Sequence, residues 1–228
     1  MVKKIGKRKT REKRIPEPET YLVASEGTKT EVLYFQQIAD ELNQKYQGYE
    51  DRLTVPTLSI EGMGTSNFRL IEDVADYLRT SPRLYENIWL VFDKDDIPEN
   101  YFDNAIKQAS SLGWQVAWAN DSFELWFLLH FEFLQSGITR EQYSEKLGLY
   151  MKQAGLSGYN KNDPQVGVLL KGRRSAAIKN AQRLEDNYDP TIPASKRNPC
   201  TTVHHLVKKL NKLEEKVEKL KQADTYLR

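Results

Sequence analysis

From residue 20 onward, short hydrophobic runs alternate with longer amphipathic segments. This alternation is typical of a mostly parallel α/β sheet, because helices connect successive parallel strands. We predict strands at residues 21–25, 57–61, 88–92 and 115–119, and helices at residues 29–46, 67–79 and 100–112. The run at 88–92 is apolar at every position, which predicts a central strand that helices cover on both faces. Right-handed crossovers would stack these repeats into one three-layer domain.

The second half of the chain has the pattern of a helical region. Residues 123–131 are apolar on nearly every side, which predicts a helix packed inside the protein. Further helices are predicted between residues 139 and 190. An apolar seam follows, with spacings of three and four residues, at Val203, Leu206, Leu210, Leu213, Val217 and Leu220. The seam fits packing on the chain's own domain and a homodimer contact about equally.

Charge separates the first residues from the rest of the chain. Residues 1–14 hold eight basic residues and one acidic residue, whereas the remaining chain holds 26 basic and 31 acidic residues. A stretch of this kind without apolar periodicity predicts a flexible arm that attracts polyanions, although a solubilising terminus has the same composition. We therefore predict an arm at residues 1–19, an α/β domain at 20–134 and a helical region at 135–228. The candidate phosphate contacts of the arm are Lys7, Arg8, Lys9 and Arg11.

Composition also indicates the cellular compartment in which the protein works. No apolar run approaches the ~20 residues that cross a bilayer, and no apolar segment follows the basic start as in a signal peptide. The single cysteine, Cys200, excludes an internal disulfide and a CxxC metal site. We expect a cytoplasmic protein without membrane contact.

Acidic residues follow the first three predicted strands: Glu26, Glu61, and Asp93 with Asp95 and Asp96. Ligands of open α/β sheets bind beyond the carboxyl ends of the strands, where loops converge. In extended chain Asp93 and Asp95 point to the same side, and such carboxylates suit Mg²⁺ or Mn²⁺. With Glu26 they predict a three-carboxylate cation site. An ordinary Asp-rich turn would give the same DxD pattern.

Two further acids have both an ordinary interpretation and a catalytic one. Thr28 and Glu31 have the spacing of a capping box, and Glu124 opens the apolar helix as a capping residue would. Either glutamate could instead bind a metal. His204 could reach a phosphate or transfer a proton, but no triad is supported.

Four ordered motifs resemble the RloB family, which includes the second AbiL component and is linked to bacterial restriction and abortive-infection loci. The motifs are Ser25-Glu26-Gly27-x-x-Thr30-Glu31-x-x-Tyr34-Phe35, Val91-Phe92-Asp93-x-Asp95, Ser122-Phe123-Glu124-x-Trp126-Phe127-Leu128-Leu129-His130-Phe131, and Asn198-Pro-x-Thr201-Thr202-Val203-His204. The first two also resemble the Toprim pattern of one Glu after the first strand and DxD after a later strand.

The Toprim resemblance implies a four-stranded, mostly parallel sheet and Mg²⁺-dependent phosphoryl transfer. It makes Glu26 a general acid/base or metal ligand, makes Asp93 and Asp95 metal ligands, and offers Glu31 and Glu124 for a second metal. The chain lacks room for a topoisomerase tyrosine domain, so phosphodiester hydrolysis is the expected reaction.

By analogy with other Toprim defence effectors, we expect an antiphage nuclease acting on RNA, preferably tRNA, beside an ATPase partner. Further candidate phosphate contacts are Lys29, Lys94, Lys171, Arg173, Arg174 and His204. The alternatives are a non-catalytic Toprim relic that binds nucleic acid or a nucleotide and signals to a partner, and a structural adaptor that uses the C-terminal seam.

Overall fold

The computed structural model describes residues 19–50 and 53–226. The predicted basic arm therefore lies outside the described residues except for Glu19. Its candidate contacts Lys7, Arg8, Lys9 and Arg11 have no structural account and remain predictions.

The first half of the described chain is the predicted alternation of strands and helices. Its elements are β1 (Thr20–Ser25), α1 (Thr30–Tyr46), β2 (Thr57–Gly62), α2 (Asn67–Thr80), β3 (Asn87–Asp93), α3 (Glu99–Ser111) and β4 (Gln115–Asn120). Each begins and ends within one residue of its predicted bounds, because the hydrophobic period of each segment matches its structure.

The sheet order is β2-β1-β3-β4-β5, so β3 is central as its apolar sequence predicts. The first four strands are parallel, and β5 (Cys200–Thr201) pairs antiparallel with β4. The prediction of four strands was therefore one strand short. A strand of two residues is too short to show a period of two. Its place is fixed by hydrogen bonds, such as the one from Thr201 Oγ1 to the carbonyl oxygen of Trp118 at 2.8 Å.

The second half is mainly helical, as predicted, although the helix predicted at residues 123–131 spans only Glu124–Leu128. Its helices are α4 (Glu124–Leu128), α5 (Arg140–Gln153), α6 (Gln165–Leu170), α7 (Arg174–Asp186) and α8 (Val203–Tyr226). Helices α4 to α8 pack with α1 on one face of the sheet, and residues of all of them join Tyr21 and Val23 of β1 in one core. Helices α2 and α3 cover the other face, where Leu22 and Phe92 are buried. The helices after residue 134 thus complete the core of the α/β sheet.

The apolar seam of α8 packs inside this chain. Val203, Leu206, Leu210 and Val217 are fully buried, and Leu213 is nearly so. The structure thereby favours the first of the two interpretations of the seam, packing on its own domain. No helix in the described part of the chain combines the length and the apolar character needed to span a bilayer.

Candidate functional site

Backbone hydrogen bonds bring the carboxyl ends of β1, β3 and β4 together. The amide of Glu26 donates to the carbonyl oxygen of Val91 at 2.9 Å, which holds the end of β1 beside β3. Past the end of β3, the amide of Asp95 donates to the carbonyl oxygen of Asp121 at 3.0 Å. The segments that carry Glu26, Asp93 and the start of α4 therefore meet at one edge of the sheet.

Asp93, the last residue of β3, lies at the centre of this edge. Its Oδ2 accepts a hydrogen bond from the amide of Phe123 at 2.9 Å, while its Oδ1 is buried without a hydrogen-bond partner. Burial, followed by the charge of Glu31, raises the pKa of Asp93 well above its usual value. The positive charge near Asp93 is therefore too small to offset the burial of its carboxylate and the repulsion from neighbouring acids.

Glu26 is half-buried, and its Oε2 also has no hydrogen-bond partner. Burial is the main cause that raises the pKa of Glu26 to about 7, and the charges of Glu31 and Asp95 add to it. The backbone amide of Asp93 acts in the opposite direction. A carboxyl group with this pKa exchanges protons near neutral pH.

Glu31 faces the same cluster and does not cap α1. The described N-terminus of α1 has no side-chain cap hydrogen bond, so the capping interpretation of Thr28 and Glu31 is wrong. Glu31 is only 8% exposed, and burial with the charge of Glu124 raises its pKa. Its carboxylate instead lies over Gly27, where a Cβ would come within 2.6 Å of Cδ of Glu31.

Glu124, at the start of α4, forms a direct ion pair with a protein cation. Its Oε1 lies 2.8 Å from Nζ of Lys161 and accepts a hydrogen bond from the hydroxyl of Tyr159 at 3.1 Å. Burial alone would raise the pKa of Glu124, but the ion pair with Lys161 outweighs it and lowers the pKa. No side-chain hydrogen bond caps this end of α4 either.

Asp95 has a different environment from Asp93. The extended backbone ends with β3 at Asp93, and Asp95 has a positive φ of 42°. Its Oδ2 lies 2.6 Å from Nη2 of Arg140, at the start of α5. The extended conformation assumed for the DxD pair is therefore absent, and an arginine already compensates the charge of Asp95.

An open cleft of about 690 Å³ lies on the Asp95 side of this edge. Asp95, Asp96, Asp121 and Arg140 line it, and Asn198 reaches it from the loop before β5. The cleft gives a ligand access to the edge of the sheet at which the strands end.

The two predicted phosphate contacts nearest in sequence to the acids differ in exposure. Lys29 is exposed immediately before α1. Lys94 is half-buried, and its Nζ donates to the carbonyl oxygen of Asp95 at 3.1 Å. Lys29 is therefore accessible to a phosphate, whereas the hydrogen bond of Lys94 helps to hold the turn after β3.

The predicted basic cluster of residues 171–174 is engaged in structural contacts. Arg174 is buried and lies 2.8 Å from Oε2 of Glu41, and Lys171 lies 3.7 Å from the same carboxylate. The guanidinium of Arg173 lies 5.1 Å from the ring centroid of Phe131. Burial leaves little of Arg174 for a phosphate, so its placement favours a structural role, as does that of the fully buried His204.

The carboxylates of this site do not meet at metal-ligand spacing. Within residues 19–50 and 53–226, one group of three or more possible ligands has its atoms mutually within 4.8 Å, and it is Glu185, His204 and His205. Like charges repel one another, and Arg140 and Lys161 each hold one carboxylate of the predicted site.

Sequence reasoning missed Arg140, Tyr159 and Lys161. They lie outside the strand-end loops, and Lys161 approaches Glu124 from a connection between two C-terminal helices. No local spacing indicates such a contact. The sequence shows a basic residue, Arg140, at the start of a helix, but it does not show that Arg140 pairs with Asp95.

A family model described as RloB-like protein matches residues 21–210. The chain therefore belongs to the RloB-like family. No curated protein and no solved structure matches the chain.

Proposed function

We propose that this RloB-like protein is a divalent-metal-dependent nuclease that hydrolyses phosphodiester bonds at the edge where β1, β3 and β4 end. The observation that carries the proposal is the under-compensated acidic cluster of Glu26, Glu31 and Asp93. Burial and mutual repulsion raise the pKa of all three. Maintaining such a cluster costs stability, which a bound cation would restore.

The oxygen donors are of the type that binds Mg²⁺ or Mn²⁺, and the carboxylates would have to close around the ion, since they lie further apart than metal-ligand spacing. Carboxylate oxygens are the ligands that these hard cations prefer, and Oε2 of Glu26 and Oδ1 of Asp93 are both buried without a hydrogen-bond partner. Asp93 and Glu26 would hold a first cation, with Glu31 and Glu124 as candidates for a second. The bound cation would polarise the phosphodiester and lower the pKa of its water.

The protein side chains would supply the remaining functions. Glu26 would be ionised as a ligand of this cation; if it is the general acid/base instead, its pKa of about 7 in the metal-free chain suits proton exchange near neutral pH. Arg140 lines the cleft and could bind a phosphate oxygen if it released Asp95. Lys29 is exposed and available for a second phosphate contact.

The proposed substrate is RNA, with tRNA preferred over DNA, and the proposed setting is antiphage defence by abortive infection. Both rest on the resemblance of the Glu26 and Asp93-x-Asp95 motifs to Toprim effectors. The same resemblance implies an ATPase partner. The basic residues 1–14 support a polyanionic substrate, since phosphate neutralisation dominates nucleic-acid affinity.

A second candidate is a non-catalytic nucleic-acid or nucleotide-binding module that signals to a partner. The observation that favours it is that Arg140 and Lys161 already hold Asp95 and Glu124. Two of the five predicted ligands are thus neutralised by the protein itself. In this case the acidic residues would have a structural role, and the cleft would bind nucleic acid or a nucleotide without cleaving it.

The test compares cleavage by the full chain with cleavage by matched variants. Total tRNA, mixed RNA and plasmid DNA are incubated with Mg²⁺, Mn²⁺ or EDTA. Asp93→Asn keeps the shape of the side chain and its bond from the Phe123 amide. Glu72→Gln is the control, because it removes an exposed carboxylate on α2 that does not line the cleft.

The nuclease predicts metal-dependent cleavage that Asp93→Asn abolishes and Glu72→Gln retains. Binding measurements on the same samples identify the second candidate. It predicts no cleavage by any form and nucleic-acid affinity that Asp93→Asn leaves unchanged. Cleavage that survives EDTA or Asp93→Asn would refute the proposed site.

A further inference from the structure

A second cluster of metal-ligand side chains lies away from the carboxylate edge, where α7 ends and α8 begins. Oε2 of Glu185 lies 3.2 Å from Nε2 of His204 and 2.9 Å from Nε2 of His205. The two imidazole rings lie side by side, with their centroids 4.0 Å apart. The three possible ligand atoms lie within 4.8 Å of one another.

The hydrogen bond of His204 through Nδ1 leaves its Nε2 available to bind a metal. His204 is fully buried, and its Nδ1 lies 3.1 Å from the carbonyl oxygen of Thr201. A carbonyl oxygen only accepts, so Nδ1 carries the proton and Nε2 holds a lone pair. Nε2 of His204 is buried and faces Oε2 of Glu185 at 3.2 Å; with Nδ1 protonated, no proton lies between these two atoms.

The spacing fits a tetrahedral metal. Zinc bonds of about 2.0–2.1 Å place neighbouring ligand atoms about 3.3 Å apart in a tetrahedron. The separations of 2.9 and 3.2 Å between Glu185 and the two histidines are close to that length. Two imidazoles and one carboxylate are a common zinc ligand set that leaves the fourth position open. That position has access to a cleft of about 570 Å³, which Glu185 and His205 line.

We propose that Glu185, His204 and His205 form a site for Zn²⁺ or a similar first-row divalent metal, separate from the carboxylate cluster. The metal joins the last turn of α7 to the first turn of α8, directly after β5. It therefore fixes α8, whose apolar seam belongs to the core, against the edge of the sheet. The site takes nitrogen and oxygen ligands in a set that hard Mg²⁺ does not favour.

The test measures zinc binding to the full chain, prepared without a histidine tag and stripped with a chelator. Isothermal titration gives the stoichiometry and affinity for Zn²⁺. The visible absorption of bound Co²⁺ reports whether the coordination is tetrahedral. Thermal unfolding with and without Zn²⁺ reports whether the metal stabilises the folded chain.

Two variants remove ligands with little risk to folding. The side chain of His205 is 42% exposed, so His205→Ala should fold, and Glu185→Gln is isosteric. Circular dichroism confirms the fold of each. Asp186→Asn is the matched control, because it removes the next carboxylate along the chain, which is exposed and outside the cluster.

We expect one zinc per chain, at least tenfold weaker binding in each ligand variant, and unchanged binding in Asp186→Asn. Asp93→Asn should also leave zinc binding unchanged, which separates this site from the proposed nuclease. If Glu185 only shares a proton with the imidazoles, the wild-type chain will bind no stoichiometric zinc. That result, or binding that persists in both ligand variants, overturns the proposal.

Discussion

The carboxylate of Glu31 fills the space that a side chain at Gly27 would need. A Cβ built at position 27 would lie 2.6 Å from Cδ of Glu31, closer than real Cβ contacts. No positive φ requires glycine at this position, so the constraint comes from the neighbouring carboxylate. Gly27 thus lets a buried acid approach the loop that carries Glu26.

Gly27→Ala should therefore displace the Glu31 carboxylate. We expect a loss of about 1–3 kcal/mol in the free energy of unfolding, as for other overpacked sites. The measurement is chemical denaturation of Gly27→Ala in the wild-type and Glu31→Ala backgrounds. Because Glu31→Ala removes the clashing atoms, the cost of Gly27→Ala should largely vanish there. An equal cost in both backgrounds would place the constraint elsewhere.

The raised pKa of Glu26 predicts a pH-dependent cost to stability. Its folded pKa of about 7 exceeds the usual 4.5, so the folded chain holds this proton more tightly than the unfolded chain. The contribution to stability is full below pH 4.5 and is lost as pH rises towards 7. Glu26→Gln should consequently gain stability relative to wild type between pH 5 and pH 8.

Thermal unfolding of the two proteins in EDTA at both pH values checks this prediction. Mg²⁺ at pH 8 should stabilise the wild type more than Glu26→Gln, because the ionised carboxylate gains a cation. A constant difference between the proteins from pH 5 to pH 8 would contradict the raised pKa. Stabilisation by Mg²⁺ that is equal in both proteins would exclude Glu26 as a ligand.

The ion pair between Asp95 and Arg140 should compete with metal binding. Arg140→Gln leaves Asp95 without its cation at 2.6 Å, so we expect Mg²⁺ to bind severalfold more tightly. Isothermal titration measures the change. Lys146→Gln is the control, because it breaks another partly exposed pair, with Glu132 at 2.8 Å. If Arg140→Gln and Lys146→Gln leave the affinity equally unchanged, Asp95 is not a metal ligand.

The buried pair of Arg174 and Glu41 should be a stability element. Only 8% of the Arg174 side chain and 3% of the Glu41 side chain are exposed. Arg174→Met leaves the buried Glu41 carboxylate with only the more distant Lys171 at 3.7 Å and a hydrogen bond from Gln37, so we expect a cost of up to about 3–5 kcal/mol in the free energy of unfolding. Replacing both residues by Met should recover much of that loss. Urea denaturation measures the free energy of unfolding of each variant. A double variant as unstable as the single one would refute the pairing argument.

The seam of α8 should matter for folding and leave the oligomeric state unaffected. Leu210 is fully buried within the chain, so Leu210→Ala should cost about 2–5 kcal/mol. Exposed Leu149, changed to Ala, is the matched control and should cost little. Denaturation and analytical ultracentrifugation give the two readouts. A change in oligomeric state without loss of stability would restore the dimer interpretation of the seam.

The sequence predicted most of the α/β fold because each of its strands and helices carries its own hydrophobic period. The central position of β3 followed from five consecutive apolar residues. In contrast, β5 has two residues and owes its place to bonds with β4, so no local pattern indicates it.

The candidate site was predictable to the extent that it depends on strand ends. Glu26 and Asp93 lie at the same edge because parallel strands present their carboxyl ends there. The cations near Asp95 and Glu124 come from distant segments of the chain, and no spacing encodes those contacts. The sequence wrongly predicted that Glu31 caps α1. Its carboxylate instead packs against Gly27, and this contact depends on the folded conformation of the loop.

The shared core of β1 and α8 also bears on synthesis of the protein. Tyr21 and Val23 belong to the same core as Val217, so nearly two hundred residues separate partners that must be buried together. A nascent chain cannot complete this core until α8 has left the ribosome. The core on this face of the sheet is therefore completed late in translation, and chains cut short before α8 leave part of the apolar face uncovered, a surface that favours aggregation and proteolysis.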